Sequence, residues 1–320
     1  MFVPHIINTK RFSEPFLEAL FRTAEMYESG KVRPVADEQP LKGHILCSLF
    51  YEPSTRTRLS FEAAALRLGG RVIGTEDARS FSSAVKGESL EDSIRVISGY
   101  CDMIVLRHTE DDAAQRAIST SEVPIINAGC GKGHHPTQAL LDLYTIKRKL
   151  ERIDEFEIAM VGDLVHGRTI RSLAYLLSKH SDLVRMHFVA PPGLGLGDDI
   201  KQHLLESGVV YNEHETLRDI IDRVDVLYVT RPQLERMSIE ERTDFDRKGS
   251  YRVDQAMAKR MKPGSIIMHP LPRTDELSPE VDNLPQAAYF YQAKCGLWIR
   301  QAILNLLVRE PELFQYIPNH

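Results

Sequence analysis

The stretch YEPSTRTRLSFE, residues 51–62, sets Ser54, Thr55, Arg56, Thr57 and Arg58 side by side. Hydroxyls and guanidiniums in such density are anion-binding groups, with phosphate the natural guest. The apolar run 44–50 (HILCSLF) ends just before them, and a helical pattern follows. A helix needs one cap at that point, and Ser54 is the expected residue. Thr55, Arg56 and Thr57 then fall in the first turn, where backbone N–H groups lack partners and an anion is favoured. Leu59, Ala63 and Leu66 read as the apolar face of this helix, and Gly69–Gly70 as its stop. Arginine is the wrong charge for a helix start taken alone. The mismatch resolves if a polyanion lies between the helix end and Arg56. Arg58, with Glu52 or Glu62 in reach, reads as a structural ion-pair partner. No GxxxxGK[ST] loop occurs anywhere, so a nucleotide held in that manner is not supported.

Similar groups recur further along. Arg107 and His108 follow the apolar run 103–106. The loop NAGCGKGHHPTQ, residues 127–138, sets His135 and Gln138 three apart around Pro136, a residue suited to opening a helix. VGDLVHGRT puts Arg168 at a helix start, TRPQLER (230–236) supplies Arg231 and Gln233, and HPLPR (269–273) makes a stiff turn. Each has an ordinary explanation taken singly: a cap, a surface arginine, an ion pair. Together they follow the ends of strand-like runs, the side on which open parallel sheets bind ligands. A pocket with Arg56, Arg107, Arg168 and Arg231 suits substrates carrying several negative charges.

The elements that must position these groups alternate along the chain. Expected strands are 44–50, 71–74, 103–106 and 123–127, then 157–161, 185–189, 225–229 and 265–268. Helices are expected near 55–68, 89–99, 111–118, 168–179, 198–206 and 215–222, with an amphipathic one at 137–150 carrying Leu140, Leu141, Tyr144 and Leu150. A last helix covers about 292–309. Apolar strands alternating with helices imply α/β architecture, with parallel sheets flanked by helices, and two such series imply two domains. The 320 residues agree with two domains, and 42% hydrophobic with 27% charged residues is ordinary for a globular chain. A net charge of −5 argues against nucleic acid as a partner, so cationic pockets must be local. No apolar run is long enough to span a membrane, and the first residues lack a secretory pattern. Cys47, Cys101, Cys130 and Cys295 form no C-x-x-C pair, and their spacing fits no zinc site. Cys47 and Cys101 read as buried thiols, and a reducing, cytoplasmic setting is expected. The polar loop 77–89 is the expected mobile segment.

Six separated motifs, in order, resemble one family. They are FYEPSTRTRLSFE (50–62), KGESLEDSIRVISGY (86–100), HPTQALLDLYTI (135–146), VGDLVHGRTIRSLAYLL (161–177), TRPQLER (230–236) and HPLPR (269–273). The chain resembles the aspartate/ornithine carbamoyltransferases, and within them the aspartate branch. The resemblance implies a carbamoyl-phosphate domain over 1–142, an aspartate domain over 143–291, and a final helix, 292–320, packing back on the first. It places the active site in the cleft between domains. It implies carbamoyl transfer from carbamoyl phosphate to the amine of L-aspartate, giving N-carbamoyl-L-aspartate and phosphate, a step of de novo pyrimidine biosynthesis. No metal and no cofactor enter.

Carried over by position, Ser54, Thr55, Arg56 and Thr57 hold the phosphate, and Arg107 contacts phosphate and the carbamoyl oxygen. Thr57 and His135 polarise that oxygen, while Gln138 fixes the carbamoyl amide. Ser82 and Lys86 match loop residues that a neighbouring subunit inserts, which implies a homotrimer with shared sites. Arg168 matches the ligand of the aspartate α-carboxylate, and Arg231 and Gln233 those of its second carboxylate. Lys86 and Leu271 also match aspartate-side positions, and Pro270 and Leu271 match the turn beside the amine and carbamoyl group. The ornithine enzymes typically read H-C-L-P where this chain has HPLPR, and an arginine such as Arg231 suits a carboxylate better than an ammonium. Cys130 stands where the family usually has an acid, and Cys295 where it usually has asparagine. Whether regulatory chains or a dihydroorotase associate is left open.

Overall fold

A computed structural model describes residues 3–9, 12–30, 39–78, 87–131, 133–165, 167–180, 183–191, 193–231 and 251–315. The chain divides into two compact units, Met1–Leu141 with Lys294–His320, and Asp142–Ala293. Each is built on a parallel sheet.

In the first unit β1 (Ile45–Phe50), β2 (Arg71–Thr75), β3 (Met103–His108) and β4 (Ile125–Cys130) lie in the order β2-β1-β3-β4. Strands β3 and β4 are buried along their whole length and β1 along all but its first residue. That double burial is why they read as unbroken apolar runs. The helices are α1 (Glu14–Glu28), α2 (Thr55–Arg67), α3 (Leu90–Ser98) and α4 (Ala113–Ile118). Ile94 of α3 and Ala113, Ala114 and Ala117 of α4 share a core with Cys47, Leu49, Ile104, Leu106 and Ile125 of the sheet. The β4 edge is covered by the N-terminal segment. Ile6 donates its N–H to Ile125 (2.9 Å), and Asn127 donates to Ile6 (2.8 Å).

The buried face of α2 differs from the expected one. Leu59 and Leu66 are 56% and 60% exposed, and Thr57, Phe61, Ala64 and Ala65 face inward. Phe61 decides this rotation. Its ring is fully buried, with the Arg300 guanidinium 5.0 Å from its centroid. The largest apolar side chain thus sets the face, and the two leucines are left outside. The helix ends as expected, with Gly69 at φ 84°.

In the second unit β5 (Glu157–Val161), β6 (Arg185–Val189), β7 (Tyr211–His214), β8 (Val226–Val229) and β9 (Ile266–Met268) lie in the order β7-β6-β5-β8-β9. Helices α6 (Arg168–His180), α7 (Asp198–Glu206) and α8 (Gln255–Ala258) belong to it. Three of these elements, β7, α1 and the short α8, have no counterpart in the sequence reading. Strand β7 reads YNEH and is a largely exposed edge, so it lacks the apolar signature; α1 carries a Ser13 cap and Pro15 in its first turn, which are legible signals. The helix expected at 215–222 is one 3₁₀ turn, Leu217–Asp219, because its apolar residues Leu217, Ile220 and Ile221 all point into one core.

Helix α5 (Pro136–Leu150) leads out of the first unit and α9 (Tyr289–Arg309) leads back. The sequence pattern gives α5 a wet face, yet it is buried all round from Pro136 to Ile146. Its buried Asp142 accepts hydrogen bonds from Tyr228 Oη (2.8 Å) and Gln292 Nε2 (2.7 Å). A carboxylate so paired tolerates the loss of water. Among the described residues no helix is long and apolar enough to cross a membrane.

Candidate active site

Strand order fixes where each sheet can bind a ligand. In the first sheet the chain runs from β1 outward to β2, then crosses to β3 on the other side of β1. The crevice between β1 and β3, at their carboxyl ends, is the topological switch point. Phe50, the last residue of β1, is in register with Arg107 of β3, and Tyr51 donates its N–H to the Arg107 carbonyl at 2.8 Å. Ser54 to Thr57 follow β1 directly, so the phosphate-type residues and Arg107 arise at one place.

Their local geometry suits a guest. Ser54 occupies the N-cap position of α2 but makes no side-chain capping bond. Thr55 and Arg56 are exposed, and Thr57 is buried. Arg107 is buried, donates from Nη1 to the Ala128 carbonyl (3.2 Å), and has Nη2 3.3 Å from Glu52 Oε1. Arg58 behaves otherwise: its Nε donates to Glu62 (2.8 Å) and its Nη1 to Glu76 (2.5 Å). Of the two expected partners for Arg58, Glu62 is the one used, while Glu52 belongs to Arg107.

His135 and Gln138 open α5, and both are buried. Asn127 at β4 pins the loop that delivers them. It donates from Nδ2 to the carbonyls of Ile7 (2.8 Å) and His134 (3.3 Å) and accepts from the Gly129 N–H (2.8 Å).

The second sheet has its own switch point, between β5 and β8. Val161 is in register with Val229. Arg168 starts α6 after β5, and Arg231 lies two residues beyond β8; both are half-buried. Gly162 is required here. It sits at φ 128°, and a Cβ would lie 2.6 Å from Thr230 Oγ1 and 2.7 Å from its carbonyl oxygen. The two strand ends therefore approach as closely as backbone allows.

The turn after β9 holds Pro270 and Leu271, with Leu271 at φ 55°. His269 is buried beneath it. Its Nδ1 accepts the Leu271 N–H (2.8 Å), and its Nε2 lies 2.8 Å from Glu276 Oε1. Burial opposes ionisation of Glu276, but hydrogen bonds from His269 and Thr274 outweigh it and bring the carboxyl down to about 2.

Residues 4–148 match the aspartate/ornithine carbamoyltransferase carbamoyl-P binding domain, and residues 154–307 match the Asp/Orn binding domain of the same family. The chain belongs to the aspartate/ornithine carbamoyltransferase family. It is 50% identical over 311 residues to the aspartate carbamoyltransferase catalytic subunit of Methanocaldococcus jannaschii, covering 96% of this chain and 99% of that one. It is 49% identical to the chloroplastic aspartate carbamoyltransferase 1 of Pisum sativum, covering 95% of this chain and 78% of the relative. The solved aspartate transcarbamoylase of Trypanosoma cruzi, in complex with carbamoyl aspartate and phosphate, superposes with a TM-score of 0.88 at 39% identity, covering 94% of this chain and 95% of that one. The two-domain α/β architecture of parallel sheets is that of the family.

Among the family-type residues, Ser82, Lys86 and Gln233 lie outside the described residues, as does most of the loop 77–89. Ser54, Thr55, Arg56, Thr57, Arg107, His135 and Gln138 fall in the first unit, and Arg168, Arg231, Pro270 and Leu271 in the second. Two partners of this set escaped the sequence reading. Glu52 lies within the 50–62 motif but pairs with Arg107, and Glu276, outside every motif, lies seven residues past the His269 it meets.

Proposed function

We infer that this chain transfers the carbamoyl group of carbamoyl phosphate to the amine of L-aspartate, releasing N-carbamoyl-L-aspartate and phosphate. The observation that carries this reading is the pair of switch points, each lined by arginine, in one chain. One suits a phosphate at a helix start, and the other suits a dicarboxylate. The T. cruzi relative, solved with carbamoyl phosphate and aspartate, supports the choice of substrates.

Ser54, Thr55, Arg56 and Thr57, with the first N–H groups of α2, hold the phosphate. Arg107 spans phosphate and carbamoyl oxygen, and Thr57 and His135 donate to that oxygen. Gln138 fixes the carbamoyl amide. Arg168 takes the α-carboxylate of aspartate, and Arg231 with Gln233 takes the side-chain carboxylate. Pro270 and Leu271 offer backbone carbonyls to the amine and carbamoyl N–H groups. Ser82 and Lys86 come from a neighbouring copy in a homotrimer. The exposed Leu59 and Leu66 on α2 and the exposed edge β2 support a subunit contact on this unit.

The amine lone pair attacks the carbonyl carbon, and a C–N bond forms as the carbonyl oxygen becomes an oxyanion. Thr57, Arg107 and His135 stabilise that charge. The C–O bond to phosphate then breaks, and the departing phosphate takes the amine proton. His135 donates a hydrogen bond and needs no base role. Four buried cysteines, none in a disulfide, fit a reducing compartment such as the cytoplasm.

The test is direct. Purified chain given carbamoyl phosphate and aspartate forms a ureido product, and with ornithine it does not. Absence of product with aspartate refutes the reading. Leu66→Lys lowers the sedimenting mass from trimer to monomer; an unchanged trimer refutes the subunit assignment.

A further inference from the structure

The turn Pro270-Leu271-Pro272 has an unusual donor inventory. Proline carries no N–H, so residues 270 and 272 can only accept. The remaining N–H, that of Leu271, is consumed by His269 Nδ1 at 2.8 Å. The turn therefore presents carbonyl oxygens and nothing else to a ligand. We propose that His269 is a positioning residue that makes this turn an acceptor-only surface for the amine and amide N–H groups of the substrates. The proposal rests on the carbamoyltransfer reading above.

The ring state follows from its neighbours. An amide N–H can only donate, so His269 Nδ1 carries no proton. The proton sits on Nε2 and is donated to Glu276 Oε1 at 2.8 Å. Glu276 is further held by the Thr274 N–H (3.0 Å) and Thr274 Oγ1 (2.6 Å). The His269 main chain is held as well: its N–H donates to Gln292 Oε1 (2.8 Å), and Gln292 Nε2 donates to Asp142 Oδ1 (2.7 Å). His269, Glu276, Gln292 and Asp142 are buried within the second unit, and Thr274 closes the network from its exposed side. Leu271, at φ 55°, is a non-glycine residue in the left-handed region, which persists where surroundings over-determine it. Protonating Nδ1 would set two N–H groups against each other and release the turn. His269 is thereby excluded from proton transfer, and its work is to aim carbonyls.

Two substitutions separate the ring's two nitrogens. Asparagine places an acceptor near the Nδ1 position, and glutamine places a polar group near Nε2. His269→Gln is expected to lower kcat/KM for aspartate by about 10- to 100-fold, by analogy with the loss of a group that orients a metal ligand. Binding of inorganic phosphate, followed by calorimetry, stays unchanged. His269→Asn recovers most of that loss. Equal damage from both variants, or an undamaged His269→Gln enzyme, overturns the proposal. The ring state is read without substitution from the nitrogen resonances of histidine-labelled enzyme, where an Nδ1-protonated His269 overturns it even if a variant fails to fold. If the unsubstituted chain forms no carbamoyl aspartate, the functional reading fails, while the ring state still decides the positioning claim.

Discussion

Arg56 and Arg58 stand two residues apart in α2, which turns them about 200° around the helix axis. Their environments differ accordingly. Arg58 is tied to Glu62 and Glu76, whereas Arg56 is exposed at the helix start and has no ion pair among the described residues. Replacing each by alanine therefore asks two questions of one turn. Arg56→Ala removes a guanidinium that contributes little to the fold, so melting should shift by no more than about 0.5 kcal/mol in stability. Under the proposed function its loss removes one charge-assisted donor from the leaving phosphate. A donor of this kind is worth about 3–4 kcal/mol in the transition state, or roughly 10²- to 10³-fold in turnover. Arg58→Ala breaks two partly exposed pairs, each worth about 0–1 kcal/mol in stability, and is expected to leave phosphate binding untouched. Steady-state formation of carbamoyl aspartate, with thermal melting of both variants, separates the outcomes. Turnover of Arg56→Ala within about threefold of the unsubstituted enzyme, or equal losses in both variants, would refute the assignment of phosphate to Arg56.

Arg231→Ala should raise KM for aspartate and cut kcat/KM by about 100-fold, since two charged hydrogen bonds disappear together, while inorganic phosphate binds as before; a loss confined to phosphate binding would contradict the acceptor-side role. Tyr228→Phe removes a hydrogen bond from the buried Asp142 Oδ2 and should cost about 1–3 kcal/mol, read as a lower melting temperature. Glu276 supplies a pH dependence. Its folded-state pKa of about 2 lies below the ordinary 4.5, so its stabilisation is present above pH 4.5 and is lost as pH falls through about 2. The amount is about 3 kcal/mol, and Glu276→Gln should flatten the melting profile in that acid window. An unchanged acid profile in the variant would contradict it.

The sequence discloses most readily what depends on continuous apolar burial. Strands β1, β3, β5, β6 and β8 are apolar because helices cover both sheet faces, and a run of such residues has few other uses. The edge strand β7 is polar for the converse reason and gives no such signal. The rotation of α2 departs from the apolar period because Leu59 and Leu66 are hydrophobic, yet exposed. Period alone could not weigh two leucines against Phe61 with Ala64 and Ala65, whose close packing depends on small size. Helix α5 fails in the opposite sense. Asp142 and Thr145 look like a wet face, and a partner 86 residues away, Tyr228, makes burial of Asp142 possible. Long-range pairing of a polar group leaves no local pattern to read.

The candidate site was legible for a different reason. An anion needs donors, and donors are arginine, lysine, hydroxyls and helix starts, all of which carry letters in the sequence. Acceptors are harder to see, because main-chain carbonyls belong to every residue. The turn after β9 becomes an acceptor only through what it lacks: two prolines without N–H and a third residue whose N–H is taken by His269. This asymmetry bears on the choice of acceptor. Aspartate offers two carboxylates for donors and one amine for acceptors, and in the proposed function Arg168 and Arg231 of the second unit serve the former and Pro270 and Leu271 the latter. Ornithine would bring a second ammonium toward Arg231, where like charges repel. Discrimination between the two amino acids therefore follows from the sign of the group at one end of the substrate. Reversing that sign at residue 231, by Arg231→Glu, should abolish aspartate turnover more completely than Arg231→Ala does. An Arg231→Glu enzyme as active toward aspartate as Arg231→Ala would show that charge at this position does not select the acceptor.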